Sequence, residues 1–384
     1  MNRRLLVISE IIAPYRIPVF NALALQPGIE LHVVFLAESD PTLRQWPVYK
    51  QEIEFSYEVL PNFRRRVGGQ NVLLNREVSR ALCRFSPTCI LVGGYNYLAS
   101  WQALGWARSR KVPLLLWVES TNRDNRAGLR MVEFLKTAFM RRCDGFVVPG
   151  KSSSDYLNSY GVPQQAIFTA PNAVDTELFS QLAAMARRHG PVHRRKHQLP
   201  SRFFLFAGRL VREKGVLDLL EAYGRLQPVM RSEIGLVFAG DGPLRPELTL
   251  RAAKIQPGAV RFVGFLPRES LADHYALAEG LVFPTRSDTW GLVVNEAMAC
   301  GLPVIVSDAA GCAADLVDDA WNGRTVPAGD VDQLVSAMAQ LASDTTTASM
   351  MGEHSRQRVQ EYSPQTCAAG IAHAAFCCAG GQLG

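Results

Sequence analysis

Short apolar runs alternate with segments of helical spacing along the whole chain. A sequence with this rhythm builds βαβ units, in which parallel strands buried on both faces are covered by the helices that connect them. In the first half the runs predict strands over 5–9, 31–36, 89–93, 113–118, 145–148 and 167–170. In the second half they predict strands over 203–207, 235–239, 260–263, 280–284 and 303–307. Leu74, Val78, Ala81 and Leu82 stand at i, i+4, i+7 and i+8, the spacing of one buried helix face. Between the halves, residues 185–200 are rich in Arg, His, Gly and Pro and have no apolar period, so they read as a mobile basic linker.

The expected organisation is an N-terminal domain over 1–180, a linker over 181–200, a second domain over 201–360 and a terminal segment over 361–384 that crosses back to the first domain. Both domains read as α/β, Rossmann-like and doubly wound, facing across a cleft at the carboxyl ends of their strands, where such sheets bind ligands. The 384 residues suffice for two domains of roughly 100–200 residues each.

With 48% hydrophobic and 20% charged residues, the chain falls outside the disordered and fibrous classes. Forty-one basic and thirty-five acidic residues leave a net charge of +6, too mild by itself to imply nucleic acid. No aromatic interleaving of the kind that binds single strands accompanies the basic clusters. Arg64-Arg65-Arg66, Arg141-Arg142 and Arg194-Arg195-Lys196 read as solvated faces. The alternative for those in the first half is a peripheral contact with an anionic leaflet or with the diphosphate of a lipid-linked acceptor. Eight cysteines without a C-x-x-C pair signal neither a zinc ribbon nor a disulfide framework, and point to reduced thiols in a cytoplasmic protein. No run approaches the roughly 20 apolar residues of a membrane span, and Glu10 cuts the first apolar run short of a signal-peptide core.

Several motifs bear on chemistry. Residues 145–152 match the Walker A pattern, but Phe146-Val147-Val148 reads as a strand and Pro149 lacks an N–H, which argues against a phosphate loop. Gly208-Arg209-Leu210 follows an apolar strand, and Glu213-Lys214-Gly215 precedes a helix. Cations at a strand-to-helix turn suit a diphosphate; two solvated surface cations are the competing reading. The run Asp288-Thr-Trp290-Gly291-Leu292-Val293-Val294-Asn295-Glu296 places one carboxylate before a helix and one in its second turn. A carboxylate in an otherwise apolar helix calls for a partner, and vicinal ribose hydroxyls would supply two donated hydrogen bonds; the competing reading is a helix-dipole acid. His189, His193 and His197 recur every four residues, but Gly190-Pro191 prevents one regular helix, so a solvated basic segment is favoured over a zinc site.

The ordered set Gly208-Arg209-Leu210, Glu213-Lys214-Gly215, Gly240-Asp241-Gly242-Pro243 and the acid-x7-Glu block resembles the donor half of glycosyltransferase family 4, the retaining GT-B enzymes. The resemblance covers most of residues 203–330. It implies that Arg209 and Lys214 hold the nucleotide diphosphate, together with backbone amides at Gly291, Leu292 and Val293. It further implies that Glu296 takes the ribose, Asp288 the hydroxyls of the transferred sugar, and Phe265 and Leu266 the base. The family usually has Glu where Asp288 stands, and its glycine-rich first loop is replaced here by a segment with Tyr15 and Arg16 on the acceptor side.

The first half resembles bacterial members with Pro-Tyr-Arg-x-Pro near the start and Trp-x-Glu-Ser after a later strand. Many members carry a His near the reacting centre; the corresponding strand here ends in Trp117-Val118-Glu119, so Glu119 is the candidate, with a plain helix N-terminal acid as the alternative. The implied reaction transfers a hexosyl unit from a nucleoside-diphosphate sugar to a glycan or lipid-linked glycan hydroxyl, without metal or other cofactor. A sugar-nucleotide epimerase and a catalytically silent nucleotide-sugar-binding scaffold are the two alternatives.

Overall fold

A computed structural model describes residues 2–40, 47–67, 70–123, 130–256 and 258–378. The chain forms two compact units, one of Met1–Ala173 with Pro364–Gly384 and one of Val174–Ser363. The first holds strands β1 (Arg3–Ser9), β2 (Ile29–Phe35), β3 (Ser56–Val59), β4 (Asn62–Val67), β5 (Gln70–Asn75), β6 (Cys89–Val92), β7 (Leu114–Trp117), β8 (Gly145–Val148) and β9 (Ile167–Thr169). Seven of them form a parallel sheet in the order β3-β2-β1-β6-β7-β8-β9, and β4 and β5 pair as a separate antiparallel hairpin. The second unit holds β10 (Phe203–Ala207), β11 (Gly235–Ala239), β12 (Val260–Gly264), β13 (Gly280–Phe283), β14 (Val304–Ser307) and β15 (Gly323–Val326), a parallel sheet in the order β12-β11-β10-β13-β14-β15. Both domains are therefore Rossmann-like.

The central strands are buried along their whole length, as helices on both faces require: Phe203 to Phe206 and Leu236 to Phe238 are all fully enclosed. In each sheet the connections reverse direction beside one strand, β1 in the first and β10 in the second. In a doubly wound sheet the loops on either side of such a reversal leave to opposite faces, so the carboxyl ends of β10 and β13 are where a ligand is expected.

Three expectations need correction. Residues 181–200 are no mobile linker: helices Thr176–Arg188 and Gly190–Lys196 fill most of the segment. Phe179, Ala183 and Ala186 recur with helical spacing and bury in the core of the second unit, so the division falls at 173/174 and not near 180. Asp175 caps the first of these helices through the Leu178 N–H at 2.9 Å, and Pro191 begins the next. Second, Leu74 lies in β5; the helix it was assigned to begins at Val78. Third, two of the basic clusters are not simply solvated. Arg64 pairs with the buried Asp40 at 2.5 Å, and Arg194 donates to the carbonyls of Pro200 and Leu277. The side chains of Arg65 and Arg66 lie outside the described residues.

The Walker-like segment is confirmed as strand β8 followed by a helix, Lys151–Ser159. The C-terminal helix Pro364–Cys377 packs in the first unit against the helix Ile17–Ala24, burying Cys367, Ala368, Ile371, Ala372, Ala374 and Ala375.

Candidate functional site

The second unit gathers its candidate residues at the carboxyl ends of β10 and β13, the two strands flanking the reversal. Arg209 follows Gly208 directly after β10 and is exposed, and its guanidinium makes no hydrogen bond or ion pair among the described residues. A short 3-10 turn, Arg212–Lys214, then leads through Gly215 into the helix Val216–Arg225. Gly215 has φ +66, and a Cβ there would lie 1.9 Å from the Pro284 carbonyl oxygen, so only glycine lets this turn lie on the chain leaving β13. The Glu213 carbonyl completes the junction by accepting from the N–H groups of Arg286 (2.8 Å) and Ser287 (3.2 Å) and from the Thr285 hydroxyl (2.8 Å).

This seam presents Lys214 to Asp288. The Lys214 ammonium pairs with Asp288 Oδ2 and reaches the Ser287 carbonyl at 3.4 Å, both partners being mostly buried. Asp288 is itself fixed: its Oδ1 accepts from the Trp290 N–H at 3.2 Å, and its carbonyl accepts from the Gly311 N–H at 2.9 Å. Gly291, at φ +100, precedes the helix Leu292–Ala299, and the N–H groups of Leu292 and Val293 are among the donors that a first helical turn leaves without intrahelical acceptors. Lys214, paired with Asp288, and the glycine-led helix start thus lie at the same edge of the sheet.

Glu296 sits one turn further along that helix. Its Oε2 accepts from the Tyr275 hydroxyl at 2.9 Å, and Tyr275 is fully buried in the helix Arg268–Leu277. Burial pushes the Glu296 carboxyl up to about 7, against the opposing pull of the Tyr275 hydrogen bond and the Arg268 charge. Phe265 follows β12 with 46% of its surface exposed, and Leu266 packs partly buried against the core.

The first unit brings its own candidates together. Tyr15 and Arg16 form a 3-10 turn after β1, and Glu119 follows β7. The Arg16 guanidinium pairs with Glu119 and stacks over Trp117 at 3.8 Å from the ring centroid, with Tyr15 on its flank at 5.4 Å. Trp117 Nε1 is buried without a hydrogen-bond partner among the described residues. Sequence reasoning singled out Arg16 and Glu119 separately and did not see that they neutralise each other. It also missed Tyr275, which lies in a helix without any motif; only the third dimension joins it to Glu296.

Two family profiles divide this chain between them. The one described as Glycosyltransferase Family 4 matches residues 22–178, and the one described as Glycosyl transferases group 1 matches residues 191–358. The chain is a glycosyltransferase of the family 4 type. Among its curated relatives is a glycogen synthase of Mycobacterium tuberculosis, 27% identical over 73% of this chain and 67% of that protein. Another is a GDP-mannose-dependent alpha-mannosyltransferase of Corynebacterium glutamicum, 31% identical over 57% of this chain and 49% of that one. This glycosyltransferase thus spans about two thirds of the first and half of the second. Of solved structures, Anabaena Alr3699/HepE in complex with UDP superposes with a TM-score of 0.74 at 17% identity, covering 97% of this chain and 98% of the other. The fold of this glycosyltransferase is accordingly GT-B.

Proposed function

We propose that this glycosyltransferase moves a hexosyl unit from a nucleoside-diphosphate sugar to a hydroxyl of a glycan or lipid-linked glycan in cell-surface polysaccharide synthesis, with retention and without a metal or other cofactor. The observation that carries the reading is the meeting of Lys214, Asp288, the Gly291 helix start and Glu296 at the carboxyl ends of two adjacent strands. In this reading the diphosphate lies on Arg209, Lys214 and the N–H groups of Gly291, Leu292 and Val293. Glu296 takes the ribose hydroxyls, Phe265 and Leu266 border the base, and Asp288 holds the hexosyl hydroxyls. The bond from the anomeric carbon to the diphosphate breaks while the acceptor oxygen bonds on the same face, and the acceptor proton passes to the departing phosphate oxygen. The protein supplies position and charge complementarity. In the first unit, Glu119 is held as a partner of Arg16, which suits orienting an acceptor hydroxyl beside Tyr15 better than delivering a proton.

The Anabaena structure contains UDP and the Corynebacterium relative is named for GDP-mannose, so the base is the first quantity to measure. In a thermal-shift titration with UDP, GDP, ADP and dTDP, one nucleotide should raise the Tm. Lys214→Ala should weaken its binding by roughly 1.5–3 kcal/mol, the worth of a hydrogen bond to a charged group. A folded protein that responds to none of the four would overturn the donor assignment in favour of a silent scaffold. With the matching donor sugar, an NMR assignment of the product's anomeric configuration tests retention.

Contact with an anionic leaflet is supported by the helix Arg130–Met140, which exposes Val132, Phe134 and Leu135, with the exposed Arg141 and Arg142 just after it. Among the described residues no helix is long and apolar enough to cross a membrane. Co-sedimentation with vesicles containing anionic lipid should be reduced by Phe134→Ser, and equal recovery with wholly zwitterionic vesicles would remove the electrostatic contact.

A further inference from the structure

The histidines of the basic segment over 185–200, which belongs to the second unit, are not distributed over a solvated surface. His193 lies in the helix Gly190–Lys196 and His197 caps its carboxyl end, so the two rings share one face a turn apart, with centroids separated by 6.3 Å and planes inclined by 26°. That face packs on the helix Arg268–Leu277 at Asp273, which is buried. His197 Nε2 lies 2.8 Å and His193 Nδ1 2.9 Å from the same carboxylate oxygen, Asp273 Oδ2. His189, the third member of the sequence pattern, is turned away with its Nδ1 on the Met185 carbonyl.

We propose that His193, His197 and Asp273 bind a divalent transition-metal ion, zinc before others, at a site separate from the sugar-transfer chemistry. Two imidazoles and one carboxylate are a three-ligand zinc set, with water for the fourth position. The three ligand atoms already lie within 4.8 Å of one another. Ligands about 2.0–2.2 Å from a tetrahedral zinc stand about 3.3–3.5 Å apart. Admitting the ion therefore asks the two nitrogens to retreat from Oδ2 by roughly half an ångström and to stand about 3.3–3.5 Å from each other, inside the 4.8 Å that bounds the three atoms.

A second observation separates this cluster from an ordinary hydrogen-bonded one. His193 Nδ1 is buried and makes no hydrogen bond among the described residues, although a carboxylate oxygen lies 2.9 Å away. The nitrogen is near the oxygen without being aligned on it, so the contact is not an ordinary hydrogen bond. One charge opposes the ion: Lys196 Nζ lies 4.0 Å from Asp273 Oδ2. Its side chain is mostly exposed, so the ammonium can withdraw into water when a cation takes its place. The ion would fasten the helix Gly190–Lys196 to the helix that carries Tyr275. Asp273 and Tyr275, two positions apart, leave that helix on different faces, one toward the histidines and one toward Glu296.

The test uses the full chain after treatment with a chelator, titrated with zinc against a competing indicator and, separately, with cobalt. The expected result is uptake of one zinc per chain, a rise in Tm with zinc concentration, and visible cobalt bands of tetrahedral nitrogen and oxygen ligation without thiolate charge transfer. His193→Gln, His197→Gln and Asp273→Asn should each weaken zinc at least about tenfold while leaving the circular dichroism spectrum unchanged. Replacing the exposed Cys83 and Cys377 by Ser should change nothing. Failure of the wild-type chain to take up one equivalent, uptake by His193→Gln/His197→Gln equal to wild type, or thiolate bands in the cobalt spectrum would each overturn the assignment. Should the variants unfold, the cobalt spectrum and zinc stoichiometry of the wild-type chain decide the question alone.

Discussion

Glu296 meets two opposing requirements. Its place in an apolar helix favours the protonated acid, whereas two donated ribose hydroxyls favour the carboxylate. Burial pushes the folded-state value up to about 7, above the roughly 4.3 of an unfolded glutamate. Between those values the folded state binds more protons than the unfolded one, so stability falls as pH rises from about 4.5 through 7 and stays lower above it. Glu296→Gln removes that slope: its Tm should exceed that of wild type above pH 7 and converge with it only below about pH 4.5. Binding has the opposite sign. A bound ribose stabilises the carboxylate, so affinity for a sugar nucleotide should tighten as pH passes through 7 in wild type and stay flat in Glu296→Gln. Parallel profiles for the two proteins would show that Glu296 does not meet the nucleotide. The motif made Glu296 visible in the sequence, but not its pairing with Tyr275, because that residue belongs to a helix whose pattern reports only burial. Lys214 and Asp288 were each legible for the same reason, while their ion pair depends on a seam between two loops.

At the scale of elements, legibility followed burial. The strands β10 and β11 were predicted residue for residue because short continuous apolar runs have few other destinations in an α/β unit. β3 and β15 escaped: Ser56–Val59 contains a glutamate and Gly323–Val326 an arginine, and both are edge strands whose half-exposed positions break the apolar run. The helices over 176–196 were hidden by composition, since arginine and histidine dominated a segment whose burial rests on a few small or aromatic positions. The turn after β10 was recognised from its cations, yet its close approach to Pro284 was not, since contact between two backbones leaves no trace beyond a glycine. Gly215→Ala tests that approach. With φ +66 and a Cβ directed at a carbonyl 1.9 Å away, the turn must shift, at a cost of about 1–3 kcal/mol. The variant should lose Tm and nucleotide affinity together, because the same displacement moves Lys214. Unchanged affinity at a lowered Tm would detach the turn from the diphosphate.

Over the whole molecule, sequence order and structural order part company once. The chain completes its first sheet, builds the entire second unit, and returns at Pro364 to finish the first. The helix Pro364–Cys377 is part of the first core and no appendage: Ile371, Cys367 and four alanines bury beside the helix Ile17–Ala24, and a Cβ on Gly370 would lie 2.3 Å from the Thr169 carbonyl oxygen at the end of β9. Small residues were needed there because the helix lies so close to the strand edge. A chain ending at residue 363 would leave that face of β8 and β9 uncovered; full burial of Ile371 alone is worth about 1.5–3 kcal/mol. The second unit keeps all of its own strands and the residues proposed to bind the donor within 174–363. Hydrogen exchange on the truncated protein should therefore show protection lost in the helix Ile17–Ala24 and in β8 and β9, and retained in β10, β11 and β13. A nucleotide that raises the Tm of the intact chain should still protect the amides around Gly291. Equal loss of protection in both sheets would mean that the second unit depends on the first for its stability, and that the donor side is not the self-sufficient body its core implies.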